Sequence, residues 1–150
     1  MHIRDGVPAD AEAWKALRDA LWPDNAHANA AEISEFFAGT SNDILKVFVA
    51  EAEDASVAGF IELNLRNFAE GSRRRFVPYV EAWFVRDTAR RQGLGHALMQ
   101  RAEIWACDMG FTELASDTEV WNTRSIALHK AMGFDEVDRV VCFLKRLKSD

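Results

Sequence analysis

Apolar residues recur along the chain with two periods, and the change from one period to the other predicts its elements. "HIR" reads as a short strand. In "ADAEAWKALRDALW", Ala13, Leu17, Ala20 and Leu21 fall at helical spacing, with Asp10 placed to cap the helix start. "NAAEISEFFAG" predicts a second helix, closed by Gly39. "ILKVFVAEA" and "SVAGFIELNLR" are rich in β-forming residues, and the polar "EDAS" between them predicts an antiparallel hairpin. "NFAEGSRRRFVP" reads as a polar connection whose arginine run is a solvated loop, and "YVEAWFV" as the next strand. Leu94, Leu98, Ala102, Trp105 and Met109 then form the apolar stripe of a helix ended by Gly110. "FTELAS" predicts a strand, "TRSIALHKAM" a helix ending at Gly133, and "DEVDRVVCFLKRL" a closing stretch of β-type sequence. The order predicts an α+β fold: a mixed, mostly antiparallel central sheet flanked by about four helices.

Composition narrows the function classes. The chain of 150 residues reads as one domain, 1–150, able to bury its own core. A formal net charge of −6 with no dominant basic face argues against a nucleic-acid partner and suits a cationic substrate. No apolar run approaches the roughly 20 residues needed to span a bilayer, and "MHIRDGVPAD" lacks the apolar core of a secretory signal. A cytoplasmic protein with no membrane partner is therefore expected. Cys107 and Cys142 form no spaced framework, which fits a reducing compartment, and Cys107 reads as a small buried hydrophobe on its helix. His2, His27, His96 and His129 are dispersed without ligand spacing, so no metal is expected.

One stretch stands against the acidic background. "VRDTARRQGLGHALMQ" places Arg86, Arg90 and Arg91 just before a Gly-Leu-Gly that opens the long helix. Unpaired amides and the helix dipole favour an anion there, and Gly93 and Gly95 let a diphosphate approach the backbone. The stretch is neither a dinucleotide fingerprint, because Leu98 stands where a third glycine would, nor a P-loop. A helix start with solvated arginines is the other reading of these residues.

"RRQGLG", Arg90 to Gly95, resembles the R/Q-x-x-G-x-G/A signature of the GCN5-related N-acetyltransferase (GNAT) family, and "NTRSIALHKAMGF" is similar to that family's asparagine-led helix block. The resemblance implies acetyl-CoA as co-substrate. Its pyrophosphate would be cradled by Arg90, Arg91, Gln92, Gly93, Leu94, Gly95 and His96, with the main chain of Trp83, Phe84 and Val85 along its pantetheine arm. Asn122 and His129 would lie beside the thioester. A closer resemblance, to the aminoglycoside 6′-N-acetyltransferases within that superfamily, rests on "LRDALWPD", "YVEAWFV", "ELASDTEVWN" and "GFDEVDRVVCF". It implies acetylation of an aminoglycoside amine, antibiotic resistance and a homodimer.

Acetyl transfer to an amine needs a group to take the amine's proton, polarisation of the carbonyl and a stabilised thiolate. Strand alternation puts Tyr79, Glu81 and Trp83 on one face, and the resemblance aligns Glu81 with the family's active-site carboxylate. Asp117 is a second catalytic candidate, or else a turn residue in "SDTE". A polycationic acceptor calls for carboxylates and flat apolar surface, which the motifs assign to Trp22, Asp24, Tyr79, Glu81, Asp117 and Glu136. Trp22 reads equally as core lining. His129 stands where many relatives have a thiolate-protonating tyrosine; a helix-packing histidine is the alternative. Cys142 replaces a tyrosine frequent in the "VVYF" segment of relatives. Two further functional readings stay open: acetylation of another cationic amine (polyamine, metabolite or peptide), and a non-catalytic acetyl-CoA-binding module.

Overall fold

Strand-forming runs assemble into one five-stranded sheet, ordered β1-β2-β3-β4-β5, in the computed structural model, which describes residues 2–148. Its strands are β1 (His2–Asp5), β2 (Lys46–Glu51), β3 (Val57–Arg66), β4 (Val77–Val85) and β5 (Ala115–Ser116). β1 to β4 pair antiparallel, and β5 lies parallel to β4 through Tyr79↔Ala115 and Val80↔Ser116. The helices are α1 (Ala11–Leu21), α2 (Ala26–Ala38), α3 (Leu94–Asp108) and α4 (Thr123–Ala131). The expected α+β architecture, a mostly antiparallel sheet with four helices, is the one observed.

The chain forms two compact units, one running to Asp117 and the other from Thr118. In the first unit, α1 and α2 cover one face of the sheet. Trp14, Leu17 and Ile33 pack there with Val47, Val49, Phe60 and Ala82. α3 covers the other face, where a Cβ on Gly59 would stand 2.9 Å from the Phe84 carbonyl and 3.3 Å from Leu98. That approach is too close for any side chain, so position 59 requires glycine. The second unit holds α4 and the residues after it. The expected strand in "DEVDRVVCFLKRL" is absent: among the described residues, 134–148 join no ladder. β propensity records fitness for a pleated surface and makes a strand only where a partner supplies the hydrogen bonds.

Three local expectations change for physical reasons. Asp10 precedes α1 but its side chain caps no α1 amide. It accepts the Val7 N–H at 2.8 Å and both arms of Arg4, at 2.7 and 2.9 Å. That guanidinium holds the Asp10 carboxyl below the usual carboxylate range. On α3 the buried stripe is Leu94, Leu98, Met99, Ala102 and Ala106, while Met109 is exposed beyond the helix end. Cys107 is exposed, because Ala106 takes the inward position beside it.

The α1–α2 layer is fixed to the sheet by a buried charge cluster. Arg18, 3% exposed, donates to both oxygens of Glu62, 1% exposed, at 2.7 and 2.9 Å. Trp14 Nε1 donates to Glu62 Oε2 at 2.8 Å, and Arg18 also reaches Asn29 and Glu32 on α2. Burial pushes the Glu62 carboxyl up, and the guanidinium offsets that desolvation. Arg18→Met should lower stability by about 3–5 kcal/mol, because it leaves an uncompensated buried carboxylate. Urea unfolding will check this: the double variant Arg18→Met/Glu62→Leu should recover most of the loss, and a double variant as unstable as the single would refute the charge explanation.

Candidate active site

The site's central carboxylate owes its position to a defect in strand pairing. Along β3 and β4, Ala82 faces Glu62 and Val80 faces Leu63, which leaves Glu81 as the extra residue of a β-bulge. The extra residue reverses the alternation. Tyr79 stands opposite Asn64 and Ala82 opposite Glu62, on the α1 side, whereas Trp83 stands opposite Ile61 on the α3 side. The expectation that Tyr79, Glu81 and Trp83 share a face is therefore corrected for Trp83, whose Nε1 donates to the Gly95 carbonyl at 2.9 Å at the start of α3.

Glu81 is 17% exposed at its side chain and fully engaged. Arg66 donates through Nε to Oε2 at 2.8 Å and through Nη2 to Oε1 at 2.5 Å. Asn64 Nδ2 adds a bond to Oε2 at 3.2 Å. The same guanidinium lies 3.6 Å from the centre of the Tyr79 ring, whose hydroxyl donates to Asp117 Oδ2 at 2.8 Å. Burial first, and Asp117 second, push the Tyr79 phenol well above its ordinary range, so it acts as a neutral donor. Two carboxylates, one arginine and one tyrosine thus form a single chain of contacts. Asp117 accepts from a side chain here rather than from a helix amide.

The loop from β4 to α3 presents backbone amides. Gly93 is left-handed (φ +80), with no atom within 4 Å of the place its Cβ would occupy. The first bond of the following helix is Ala97 N–H to Gly93 O at 3.0 Å, so the amides of Leu94, Gly95 and His96 precede it. Arg91 is also left-handed, at φ 70, and it is exposed with Gln92 and His96. Arg90 has a different task. Its Nε donates to the Val85 carbonyl at 2.9 Å, it pairs with Asp87, and it lies over Phe84, so it shapes the loop. Arg86 Nη2 likewise donates to Ser56 Oγ at 2.8 Å.

Trp22 follows α1, half-buried against the core cluster that includes Ala82. Arg18 lies 5.1 Å from its ring centre and Asn29 Nδ2 lies 3.4 Å from its carbonyl, while Asp24 is exposed in the next turn. Trp22 is thus both core lining and rim. In the second unit, Asn122 Oδ1 accepts the Ser125 N–H at 3.1 Å and caps α4. His129 Nδ1 lies 2.7 Å from the Ser125 carbonyl, and its ring meets Phe134 edge-on. A carbonyl only accepts, so Nδ1 carries the proton and Nε2 donates only in the imidazolium form. Glu136 is exposed and pairs with Arg139 at 2.8 Å, which holds its carboxyl below the usual range.

Sequence reasoning missed Asn64 and Arg66. Their signal was present in "LNLR", where two polar residues alternate on the face that Glu62 begins, but joining them to Glu81 required the bulged register. No group of three potential metal ligands exists among the described residues, and no described helix is long and apolar enough to cross a membrane.

The glycine geometry makes a prediction about the loop. A Cβ on Gly95 would meet Val85 and Trp83 at 3.7 and 3.8 Å, an ordinary contact, whereas any side chain on Gly93 is strained. Gly93→Ala should lower stability by roughly 1–2 kcal/mol, the left-handed penalty, and Gly95→Ala should cost less. Equal losses in urea unfolding would contradict this.

The family model "Acetyltransferase (GNAT) family" matches residues 14–134. An aminoglycoside N(6′)-acetyltransferase type 1 from Klebsiella aerogenes is 41% identical over 97% of this chain and 96% of its own length. A namesake from Stenotrophomonas maltophilia is 39% identical over 94% and 90%. Among solved structures, an apo aminoglycoside 6′-N-acetyltransferase from Acinetobacter haemolyticus superposes with TM-score 0.88 at 28% identity, covering 99% of this chain and 100% of that one. Another, in complex with the bisubstrate analog CoA-S-monomethyl-acetylneamine, gives 0.87 at 32% identity, covering 97% and 98%. The extent of the family match and the identity to these relatives place the chain in the acetyltransferase (GNAT) family.

Proposed function

We propose that this protein is an aminoglycoside 6′-N-acetyltransferase, transferring acetyl from acetyl-CoA to a primary amine of an aminoglycoside antibiotic and thereby conferring resistance. One observation carries the reading: the similarity to enzymes of that name spans nearly the whole of both chains, at up to 41% identity in the relatives cited. The paired carboxylates Glu81 and Asp117, joined through Tyr79 and Arg66, suit a polycationic acceptor. The whole chain, 1–150, serves as one catalytic domain, a reading supported by a family match that crosses the boundary between the two compact units. A cytoplasmic location fits this chemistry, because acetyl-CoA is a metabolite of the cell interior.

In the reaction, one bond forms between the amine nitrogen and the acetyl carbon, and one breaks between that carbon and sulfur. Glu81 takes the proton that the amine loses, directly or through water. Asp117 orients the acceptor; Tyr79, expected from the motifs to line the acceptor site, is fully buried and acts through Asp117, holding that carboxylate by its hydroxyl, with Trp22, Asp24 and Glu136 holding the sugars and further ammonium groups. Gln92 to His96, with Arg91, bind the diphosphate; Trp83, Phe84 and Val85 present main chain to the arm; Asn122 and His129 attend the sulfur. As imidazolium, His129 can donate to the departing thiolate, a role left to it where Cys142 replaces the tyrosine of relatives.

Glu81→Gln should lower kcat by about 10²–10⁴-fold with acetyl-CoA binding retained. Acetylated product, measured by mass with kanamycin-type drugs, polyamines and a lysine peptide in parallel, checks the acceptor. Transfer faster to a polyamine or peptide than to any drug would replace the reading with a general cationic-amine acetyltransferase.

A homodimer is the proposed state. Val141, Phe143, Leu144 and Leu147 are 78–91% exposed, a density of apolar surface that soluble monomers rarely carry. Sedimentation at micromolar concentration should give twice the 16.9 kDa chain mass, and Phe143→Asp should shift it toward monomer. A wild-type monomer would refute this.

A further inference from the structure

The Glu81 carboxylate proposed to receive the acceptor's proton is already occupied by a cation belonging to the protein. Arg66 takes one oxygen with Nε and the other with Nη2, and Asn64 takes a further lone pair. Arginine stays protonated at all accessible pH, so it cannot relay a proton. With three of the carboxylate's roughly four lone-pair sites taken, Glu81 has little left to offer an acceptor amine for as long as the guanidinium stays. Its removal in an empty site would strand a carboxylate only 17% exposed, which explains why it is there.

From these contacts we infer that Arg66 is a displaceable counter-ion that makes the acceptor site selective for polycations. The geometry supplies two positions for it. In the first it holds Glu81. In the second it keeps its stacking contact with Tyr79, 3.6 Å from the ring centre, and turns toward Asp117, which accepts the Tyr79 hydroxyl at 2.8 Å. Arg66 is 39% exposed and ends β3, so its side chain can move without breaking the ladder or opening the core. The charge of Asp117 already acts on it across the ring.

Displacement sets a charge requirement. An incoming ammonium must exchange one ion on Glu81 for another, losing a bidentate pair and gaining a monodentate one. A singly charged amine makes that exchange at a deficit. An acceptor with several ammonium groups offsets it through contacts with other carboxylates of the site. Arg66 thus discriminates against simple amines by opposing their binding, a repulsive element of specificity. This inference rests on the proposed role of Glu81 as the group facing the acceptor amine.

The test uses Arg66→Gln and the milder Arg66→Lys, with unfolding midpoints measured to establish that both fold. kcat/KM is determined with kanamycin and with the singly charged amine glucosamine at saturating acetyl-CoA. Arg66→Gln should raise kcat/KM for glucosamine about tenfold relative to kanamycin, the scale of one charge-assisted bond, and Arg66→Lys should fall between it and wild type. A fall by the same factor for both acceptors, or an unchanged or wider ratio, overturns the proposal; Arg66 would then merely position Glu81. Glu81→Gln and the double variant separate this failure from failure of the Glu81 reading. If Glu81 turns over at the wild-type rate as glutamine, the Glu81 reading itself is wrong. If Glu81→Gln is slow but the Arg66→Gln ratio does not narrow, only the counter-ion proposal is lost. Calorimetric binding of kanamycin gives a readout independent of turnover: Arg66→Gln should change its affinity in the wild-type background and leave it unchanged in Glu81→Gln.

Discussion

The bidentate pair between Arg18 and Glu62 is the interaction on which the α1–α2 face of the sheet depends. It joins three elements at once: α1 through Arg18 and Trp14, β3 through Glu62, and α2 through Asn29 and Glu32. An apolar contact would bury the same area but would not fix direction, whereas a planar fork on a carboxylate does. The turn that follows α1 inherits that direction. Trp22 donates its N–H to the Arg18 carbonyl, lies under the Arg18 guanidinium and is close to Asn29. A charge cluster deep in the core thus orients the aromatic residue assigned to the acceptor's rim.

Glu62 also marks the last regular pair before the bulge. One residue further along β4, Glu81 leaves the ladder and its carboxylate turns to the face that carries Asn64, Arg66 and Tyr79. Without the extra residue, Glu81 would take a fixed place opposite β3 and Trp83 would share the Tyr79 face. With it, Trp83 turns to α3 and anchors the glycine loop at Gly95. One local irregularity therefore shapes both sides of the sheet, leaving a carboxylate cluster on one and a turn of amides on the other.

Three arginines of this molecule pair with buried or half-buried carboxylates. Arg4 neutralises Asp10, Arg18 neutralises Glu62, and Arg66 neutralises Glu81. The first two pairs are structural because both partners belong to the core or its rim. Arg66 is the most exposed of the three arginines, at 39% against 28% for Arg4 and 3% for Arg18, and that exposure makes its pair the most readily exchanged. Desolvation sets the distinction, because a pair can be broken by a ligand only if the displaced ion finds water or another counter-charge.

Much of this was legible in the chain. Apolar periodicity located all four helices and the long strands, because burial of one face repeats at the period of the element itself. "RRQGLG" and "NTRSIALHKAMGF" announced the family, since backbone amides need glycine at fixed places around a helix start. The sequence also supplied Glu81, Asp117 and Tyr79 as residues of the right chemistry. Their union was a tertiary matter. The bulge at Glu81 leaves no mark in a nine-residue strand of mixed polarity, so neither the reversal of Trp83 nor the clamp by Arg66 follows from alternation. The long-range pairs, such as Arg18 with Glu62 across 44 positions, depend on which strand lies under which helix. Residues 134–148 show the converse: β-type composition sets a preference, and only a neighbouring strand can satisfy its amides and carbonyls.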